Sequence, residues 1–219
     1  MSPIAASDVA TGLEFSNLSC VRNGRGLFGG LQMRLGAGEL LLLQGANGAG
    51  KTSLLRMLCG LLDPTEGQIL WRGKAISELR EDFGRDLIYL GHAAALKDGL
   101  SPLENLLFAC SLAGHRVSLA DARRALDEAG LRGHQNTLVR RLSQGQRRRS
   151  ALARLALAPV AQSWAPLWIL DEPFNALDTA ATAWLLGLIK SQLKRSGTVV
   201  LTSHQPVALQ DTPHQVLAL

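Results

Sequence analysis

The chain contains the stretch Leu40-Leu-Leu-Leu-Gln44, followed directly by Gly45-Ala-Asn-Gly-Ala-Gly50-Lys51-Thr52. Its first part is a short apolar run, and beyond Thr52 apolar residues recur at helical spacing, so it predicts a strand, a loop and a helix. The loop fits the pattern GxxxxGK followed by Ser or Thr, in the context which that pattern requires. Glycines let backbone N–H groups curl around phosphate oxygens, and the helix N-terminus adds a favourable dipole. The stretch therefore predicts a phosphate-binding loop.

Two side chains of this loop carry its predicted chemistry. Lys51 neutralises charge near the β and γ phosphates of a nucleotide, and the Thr52 hydroxyl can ligate Mg²⁺. We therefore predict a nucleotide and Mg²⁺ as the ligands of this loop. The residues predicted to contact the phosphates are Gly45, Ala46, Asn47, Gly48, Ala49, Gly50, Lys51, Thr52 and Ser53.

A second apolar run, Leu167-Trp-Ile-Leu170, is followed directly by Asp171-Glu172-Pro173. A buried strand that ends here delivers Asp171 to the water shell of Mg²⁺, with Glu172 beside it to polarise the attacking water. Taken alone, Asp-Glu-Pro can be an ordinary turn after a strand, since Asp and Pro are common in turns. Together with the phosphate-binding loop it predicts a metal ligand in Asp171 and a catalytic base in Glu172.

The segment that starts Leu142-Ser143-Gln-Gly145-Gln146 and continues with Arg147 to Arg149 has the pattern of a serine-capped helix. A helix N-terminus with a hydroxyl and a glycine N–H also binds phosphate, and one nucleotide does not need two such ends. The second end therefore points to a second molecule. The alternative is a plain capped helix, and the basic run is predicted to be a solvated surface rather than a DNA-binding element.

The remaining pattern predicts a single α/β domain. Unbroken apolar runs that alternate with helices indicate a parallel sheet covered on both faces. The chain between about residues 93 and 141 is richer in Leu, Ala and scattered charges, which predicts a helical insertion, so the core and an outer β-lobe comprise 1–92 and 142–219. Further predicted elements are strands at Gln68–Trp71, Leu87–Leu90 and Thr198–Leu201 and helices near Pro102–Leu112, Leu119–Ala129 and Ala180–Leu193.

Composition excludes several classes of protein. No apolar run of the 219 residues approaches the roughly 18 to 20 that a membrane span needs, and the N-terminus lacks the pattern of a secretory signal. The three cysteines are widely separated, and no CxxC pair suggests zinc or a redox couple. We expect a cytoplasmic chain. Its net charge of +5 suits an anionic partner, which includes nucleotides, nucleic acids and membrane surfaces.

These motifs, in this order, resemble the ABC cassette family over nearly the whole chain. The resemblance implies an α/β ATPase core with a β-lobe and a helical insertion, and two cassettes that sandwich two ATP molecules. Ser143 and Gly145 would contact the γ-phosphate held by the partner cassette, and His204 would contact it in the same chain. The resemblance also assigns nucleotide contacts to Gln146, Asp178 and His92.

Three positions depart from the family pattern. His92 stands where the family has a glutamine, and the aromatic residue expected to stack on adenine is replaced by Val21 and Arg22. Gln144 occupies a position that usually holds a small residue. The imidazole of His92 can still bond a water molecule or the shell of the metal, and Arg22 can stack through its guanidinium plane.

Within that family, Gly91-His92, Trp168-Ile-Leu-Asp-Glu-Pro-Phe174 and Thr202-Ser-His-Gln-Pro206 resemble the ATP-binding subunits of bacterial heme exporters in cytochrome c maturation. The resemblance implies a peripheral subunit on the cytoplasmic face of the inner membrane, whose segment Ala93–Leu100 faces membrane-spanning partners. The heme would be contacted by those partners rather than by this chain. The alternatives are an ATPase that acts on nucleic acid, a subunit for another substrate, and a clamp without hydrolysis. No coiled-coil arm, zinc hook or second cassette supports a nucleic-acid partner.

Overall fold

The computed structural model describes residues 12–79, 81–157, 165–203 and 212–219. The strands, in chain order, are β1 (Leu13–Arg22), β2 (Arg25–Leu35), β3 (Leu40–Gln44), β4 (Glu66–Trp71), β5 (Lys74–Ala75), β6 (Leu87–Leu90), β7 (Leu167–Leu170), β8 (Thr198–Thr202) and β9 (His214–Ala218). The α-helices are α1 (Lys51–Leu58), α2 (Ile76–Leu79), α3 (Glu81–Asp86), α4 (Pro102–Leu112), α5 (Leu119–Glu128), α6 (Gln144–Leu152) and α7 (Thr179–Lys194). No helix within these residues is long and apolar enough to cross a membrane.

The strands form two sheets of different character. The core sheet has the order β6-β7-β8-β3-β9 and all of its pairs are parallel, whereas the outer sheet β2-β1-β4-β5 is antiparallel. Strands β3, β7 and β8 are apolar and almost wholly buried because helices cover both faces of the core sheet. The predicted fold class, a parallel core with an antiparallel β-lobe and helices, is confirmed.

Three hydrophobic clusters hold these layers together. One packs α1 between the core sheet and the outer sheet, a second packs α7 against the opposite face of the core sheet, and the third lies among α4, α5 and the turn after α6. The two helices α4 and α5 between residues 93 and 141 agree with the predicted helical character of that stretch, although its boundaries as a subdomain stay a prediction. The fold therefore brings the ends of β3, β6, β7 and β8 to one edge, where ligands of parallel sheets bind.

Candidate active site

The phosphate-binding loop joins the end of β3 to the start of α1 by a backbone path that requires glycine. Gly50 is the N-cap of α1 with φ of 105°. A Cβ at this position would be strained in conformation and would lie 3.0 Å from ring carbons of Phe28. The loop is also closed by a hydrogen bond of 3.2 Å from the Ala49 N–H to the carbonyl of Ala46. The N-terminus of α1 is thereby presented at the edge of the sheet.

Lys51 is the first residue of α1, and its ammonium group is held by the loop itself. Nζ donates to the carbonyl oxygens of Gly45 at 2.7 Å and Ala46 at 3.0 Å, and only 8% of the residue is exposed. Among the described residues no carboxylate lies within ion-pair distance of it. Its positive charge is therefore available to an anion that enters the loop.

Asp171 connects three elements at the end of β7. Its Oδ2 accepts from the Thr52 hydroxyl of α1 at 3.0 Å, and its Oδ1 accepts from the Thr202 hydroxyl of β8 at 2.8 Å. The residue is 2% exposed, and its N–H donates to the carbonyl of Leu90 at 2.8 Å. The two hydroxyl groups therefore fix the carboxylate beside the phosphate-binding loop.

Glu172 follows in an unusual backbone conformation. Its φ is 49°, in the left-handed region that costs a residue with a side chain about 1 to 2 kcal/mol. The Glu172 N–H donates to Thr202 Oγ1 at 2.8 Å, and the Asn175 N–H donates to the Glu172 carbonyl at 3.2 Å. A strained conformation held by specific hydrogen bonds is typical of functional sites.

Both acids and the loop line one cavity of about 400 Å³. The residues around it are Leu27, Asn47, Gly48, Gly50, Lys51, Thr52, Ser53, His92, Asp171, Glu172 and Asn175. The structure thus brings together the predicted loop, both predicted acids and His92. Gly45, Ala46 and Ala49 belong to the same loop without lining the cavity, and His204 lies outside the described residues.

The predicted second phosphate-binding end lies elsewhere. Ser143 caps α6 by accepting from the Gln146 N–H at 3.2 Å, and Gln146 Oε1 accepts from the Ser143 N–H at 2.9 Å. Asp178 caps α7 by accepting from the Ala181 N–H at 2.8 Å. None of these residues, nor Gly145, lines the cavity of their own chain. Their contacts with a nucleotide stay predictions.

Two residues of the site were not predicted from the sequence, and one expectation was wrong. Arg148, in the basic run predicted to be solvated, is only 6% exposed, because its guanidinium points inward to backbone carbonyls. The Thr202 hydroxyl, which joins Asp171 to Glu172, was not identified either. Thr202 directly follows an apolar strand, the position that marked Asp171, and that signal could have found it.

The family model described as ABC transporter matches residues 28–175, which include the loop, both acids and the α6 segment. The cytochrome c biogenesis ATP-binding export protein CcmA of Dechloromonas aromatica is 55% identical over 195 residues, 89% of this chain and 93% of that protein. The chain belongs to the ABC transporter family, among the cytochrome c biogenesis ATP-binding export proteins. As an ABC-type ATPase subunit, it carries the phosphate-binding loop and acid pair at the positions that the motifs indicated.

Other relatives agree with this membership. The protein of the same name from Albidiferax ferrireducens is 46% identical, over 94% of this chain and 96% of its own length. A solved structure titled as the ATP binding subunit of an ABC transporter is 26% identical and superimposes with a TM-score of 0.81, over 94% of this chain and 86% of that one. The ABC fold therefore extends through the described chain, beyond the matched segment.

Proposed function

We propose that the chain hydrolyses ATP in the 400 Å³ cavity, with Glu172 as the residue that orients and polarises the attacking water. The observation that carries the proposal is that Lys51, Thr52, Asp171 and Glu172, from two distant motifs, converge on this one cavity. One basic side chain, one hydroxyl and two carboxylates at a helix N-terminus form the set that phosphoryl transfer from a nucleotide requires.

The donor set also fits Mg²⁺. Thr52 Oγ1 and Asp171 Oδ2 are 3.0 Å apart at the cavity, and hydroxyl and carboxylate oxygens are ligands that Mg²⁺ accepts. We propose that Thr52 ligates the ion directly and that Asp171 acts through its water shell. When bound, the ion would neutralise part of the charge of the nucleotide phosphates.

The side chains of the cavity have distinct proposed roles in the reaction. Lys51 exchanges its two loop carbonyl partners for phosphate oxygens and stabilises the charge that develops on the γ-phosphate. Glu172, held by Thr202, receives the attacking water on the side of the γ-phosphate. His92 lines the same cavity, where its imidazole can hydrogen-bond that water. His204 is assigned to the γ-phosphate by the family pattern alone.

We further propose that a second copy of the chain completes the site. The N-terminus of α6 carries Ser143 and Gly145, and Ser143 is exposed to solvent outside the cavity of its own chain. A capped helix end of this kind favours a phosphate group. Two chains related by a two-fold axis would place this end of each over the nucleotide of the other, so that each cavity is closed only in the dimer.

The relatives named as cytochrome c biogenesis export proteins support a transport role. We propose that the chain drives membrane-spanning partners in the export or delivery of heme, from the cytoplasmic face of the bacterial inner membrane. Residues 91–95 line a neighbouring cavity of about 460 Å³. The last three of them are the start of the proposed partner-facing segment, Ala93–Leu100. We propose that heme binds to those partners and that no nucleic acid is involved.

A Glu172→Gln variant tests the hydrolytic proposal. We expect turnover to fall about 10²- to 10⁴-fold because the amide cannot act as a base, while ATP-dependent dimerisation is retained. Glu128→Gln on the exposed end of α5 is the matched control and should keep full turnover. Unchanged turnover in Glu172→Gln would remove Glu172 from the role of base.

The biological task requires a separate test. Cells whose only copy is the Glu172→Gln variant should lose covalent heme from their c-type cytochromes, measured by heme staining of proteins separated under denaturing conditions. Normal heme attachment would contradict the heme proposal and leave the ATPase assignment intact. Salt-sensitive binding of the purified chain to duplex DNA or RNA would instead favour the nucleic-acid alternative.

A further inference from the structure

Arg148 is a buried cation that lies behind the active site. It belongs to α6, and each of its three guanidinium nitrogens donates to backbone carbonyl oxygens. Nη2 donates to Asp171 and Glu172 at 2.8 Å each, and Nε donates to Pro173 at 3.4 Å. Nη1 donates to Gly91 at 3.0 Å and His92 at 3.3 Å. The side chain therefore connects the ends of β6 and β7 to α6.

The number of N–H donors on the Arg148 guanidinium equals the number of backbone carbonyl oxygens that accept from it. A guanidinium has five N–H groups, and the five carbonyl oxygens converge on it from two segments that are far apart in sequence. Carbonyl oxygens that converge in a buried place repel one another unless a cation lies between them. Lysine has three donors in a different geometry, so it cannot replace all five contacts.

No carboxylate of the described residues forms an ion pair with Arg148. Burial lowers the pKa of its guanidinium, while the nearby charges of Asp171 and Glu172 raise it. An arginine stays protonated even under such burial. A permanent positive charge is thus fixed behind two adjacent buried acids.

These contacts hold the residues which the proposed chemistry uses. The Glu172 carbonyl that Arg148 binds belongs to the strained turn with φ of 49°. The Gly91 and His92 carbonyls belong to the segment that presents His92 to the nucleotide cavity. Arg148 itself lines the neighbouring 460 Å³ cavity and not the nucleotide cavity, so it has no direct route to the phosphates.

We propose that Arg148 is a positioning residue for ATP hydrolysis, which sets the placement of Glu172 relative to His92 through the backbone. The inference rests on the proposed role of Glu172 as the base. The site then has two parts with different functions. Lys51 and Thr52 on α1 bind the nucleotide, and Arg148 fixes the side of the cavity formed by Glu172 and His92, where the attacking water is held. Loss of Arg148 should therefore lower kcat and leave the KM for ATP nearly unchanged.

The test uses the full chain, purified with the proteins that accompany it from native membranes. Arg148→Met keeps an unbranched apolar side chain in place of the aliphatic part of arginine and removes all five donors. Displacement of a catalytic group by about 1 Å costs about 10²-fold in rate, so we expect kcat to fall about 10- to 100-fold while KM changes less than about threefold. Arg148→Lys should recover part of kcat. The control Arg123→Met removes an exposed arginine of α5 that lines neither cavity, and it should keep wild-type kcat.

A double variant separates this inference from the hydrolytic proposal. If Arg148 acts through Glu172, Arg148→Met should slow the single-turnover rate of the Glu172→Gln protein by no more than about twofold. Wild-type kcat in Arg148→Met, or loss of kcat together with ATP binding in both Arg148 variants, would overturn the positioning role. Unchanged turnover in Glu172→Gln alone would instead overturn the assignment of the base.

Discussion

A Thr202→Val substitution examines the hydroxyl that joins the two acids. Valine has the shape of threonine, and Thr202 is fully buried, so the change removes the hydroxyl with little change in packing. The Glu172 N–H loses its buried acceptor, which costs about 1 to 3 kcal/mol, and Asp171 Oδ1 loses a hydrogen bond to a charged group, worth about 1.5 to 3 kcal/mol. The added methyl group offsets about 1 kcal/mol. We expect the free energy of unfolding to fall by about 1.5 to 5 kcal/mol.

Thr198→Val is the matched control for this change, at the other end of β8. Thr198 is 1% exposed, and its hydroxyl donates at 3.0 Å to one neutral acceptor, the Gly36 carbonyl, so the expected cost is about 1 kcal/mol. Denaturant unfolding followed by circular dichroism measures both variants, and ATP turnover should fall only in Thr202→Val. Equal loss of stability in the two variants, with turnover retained in both, would refute the role of the Thr202 hydroxyl.

Three further predictions concern the loop, the α6 segment and the thiols. Lys51→Met should lower ATP turnover by about 10²-fold or more. The control Lys190→Met, on the exposed face of α7, should keep wild-type turnover. Equal turnover rates in the two variants would exclude Lys51 from the site. Gly145→Ala places a Cβ 2.9 Å from the Ala176 carbonyl oxygen at the N-terminus of α6. ATP-dependent dimerisation, measured by light scattering, should therefore weaken, while nucleotide binding by the single chain is kept. A dimer as stable as that of the wild type would contradict this prediction. All three cysteines are buried and burial raises the pKa of Cys59, so a thiol reagent at pH 8 should react only after unfolding; rapid reaction of the native chain would contradict the packing.

Much of the core could be predicted from local sequence. The strands Leu40–Gln44 and Leu167–Leu170 have the predicted bounds, because an unbroken apolar run is typical of a strand that is buried on both faces. The edge strand Leu87–Leu90 also has the predicted bounds, although only Ile88 of it is fully buried. The helix Pro102–Leu112 also begins and ends as predicted, since its start carries Ser101 as N-cap, a proline and a capping box.

Other elements give weaker local signals. Strand β2 is largely exposed and contains three glycines, and β1 is interrupted by irregular register and by Asn17 with φ of 48°, so neither pattern indicates a strand. The buried state of Arg148 depends on carbonyl groups that lie 23 to 57 residues away in the chain. A pattern of neighbouring residues contains no information on such contacts, which explains why the run from Arg147 to Arg149 resembled a solvated surface.

The proposed role in heme export is tested by gentle purification of the full chain from its native membranes, with the accompanying proteins identified by mass spectrometry. The absorption band of heme and the ATP turnover of the same preparation are recorded together. We expect small membrane-spanning partners, bound heme, and turnover that is lost when the preparation is made with Glu172→Gln. A chain that purifies with nucleic acid and without membrane proteins or heme would contradict the proposed role in heme export.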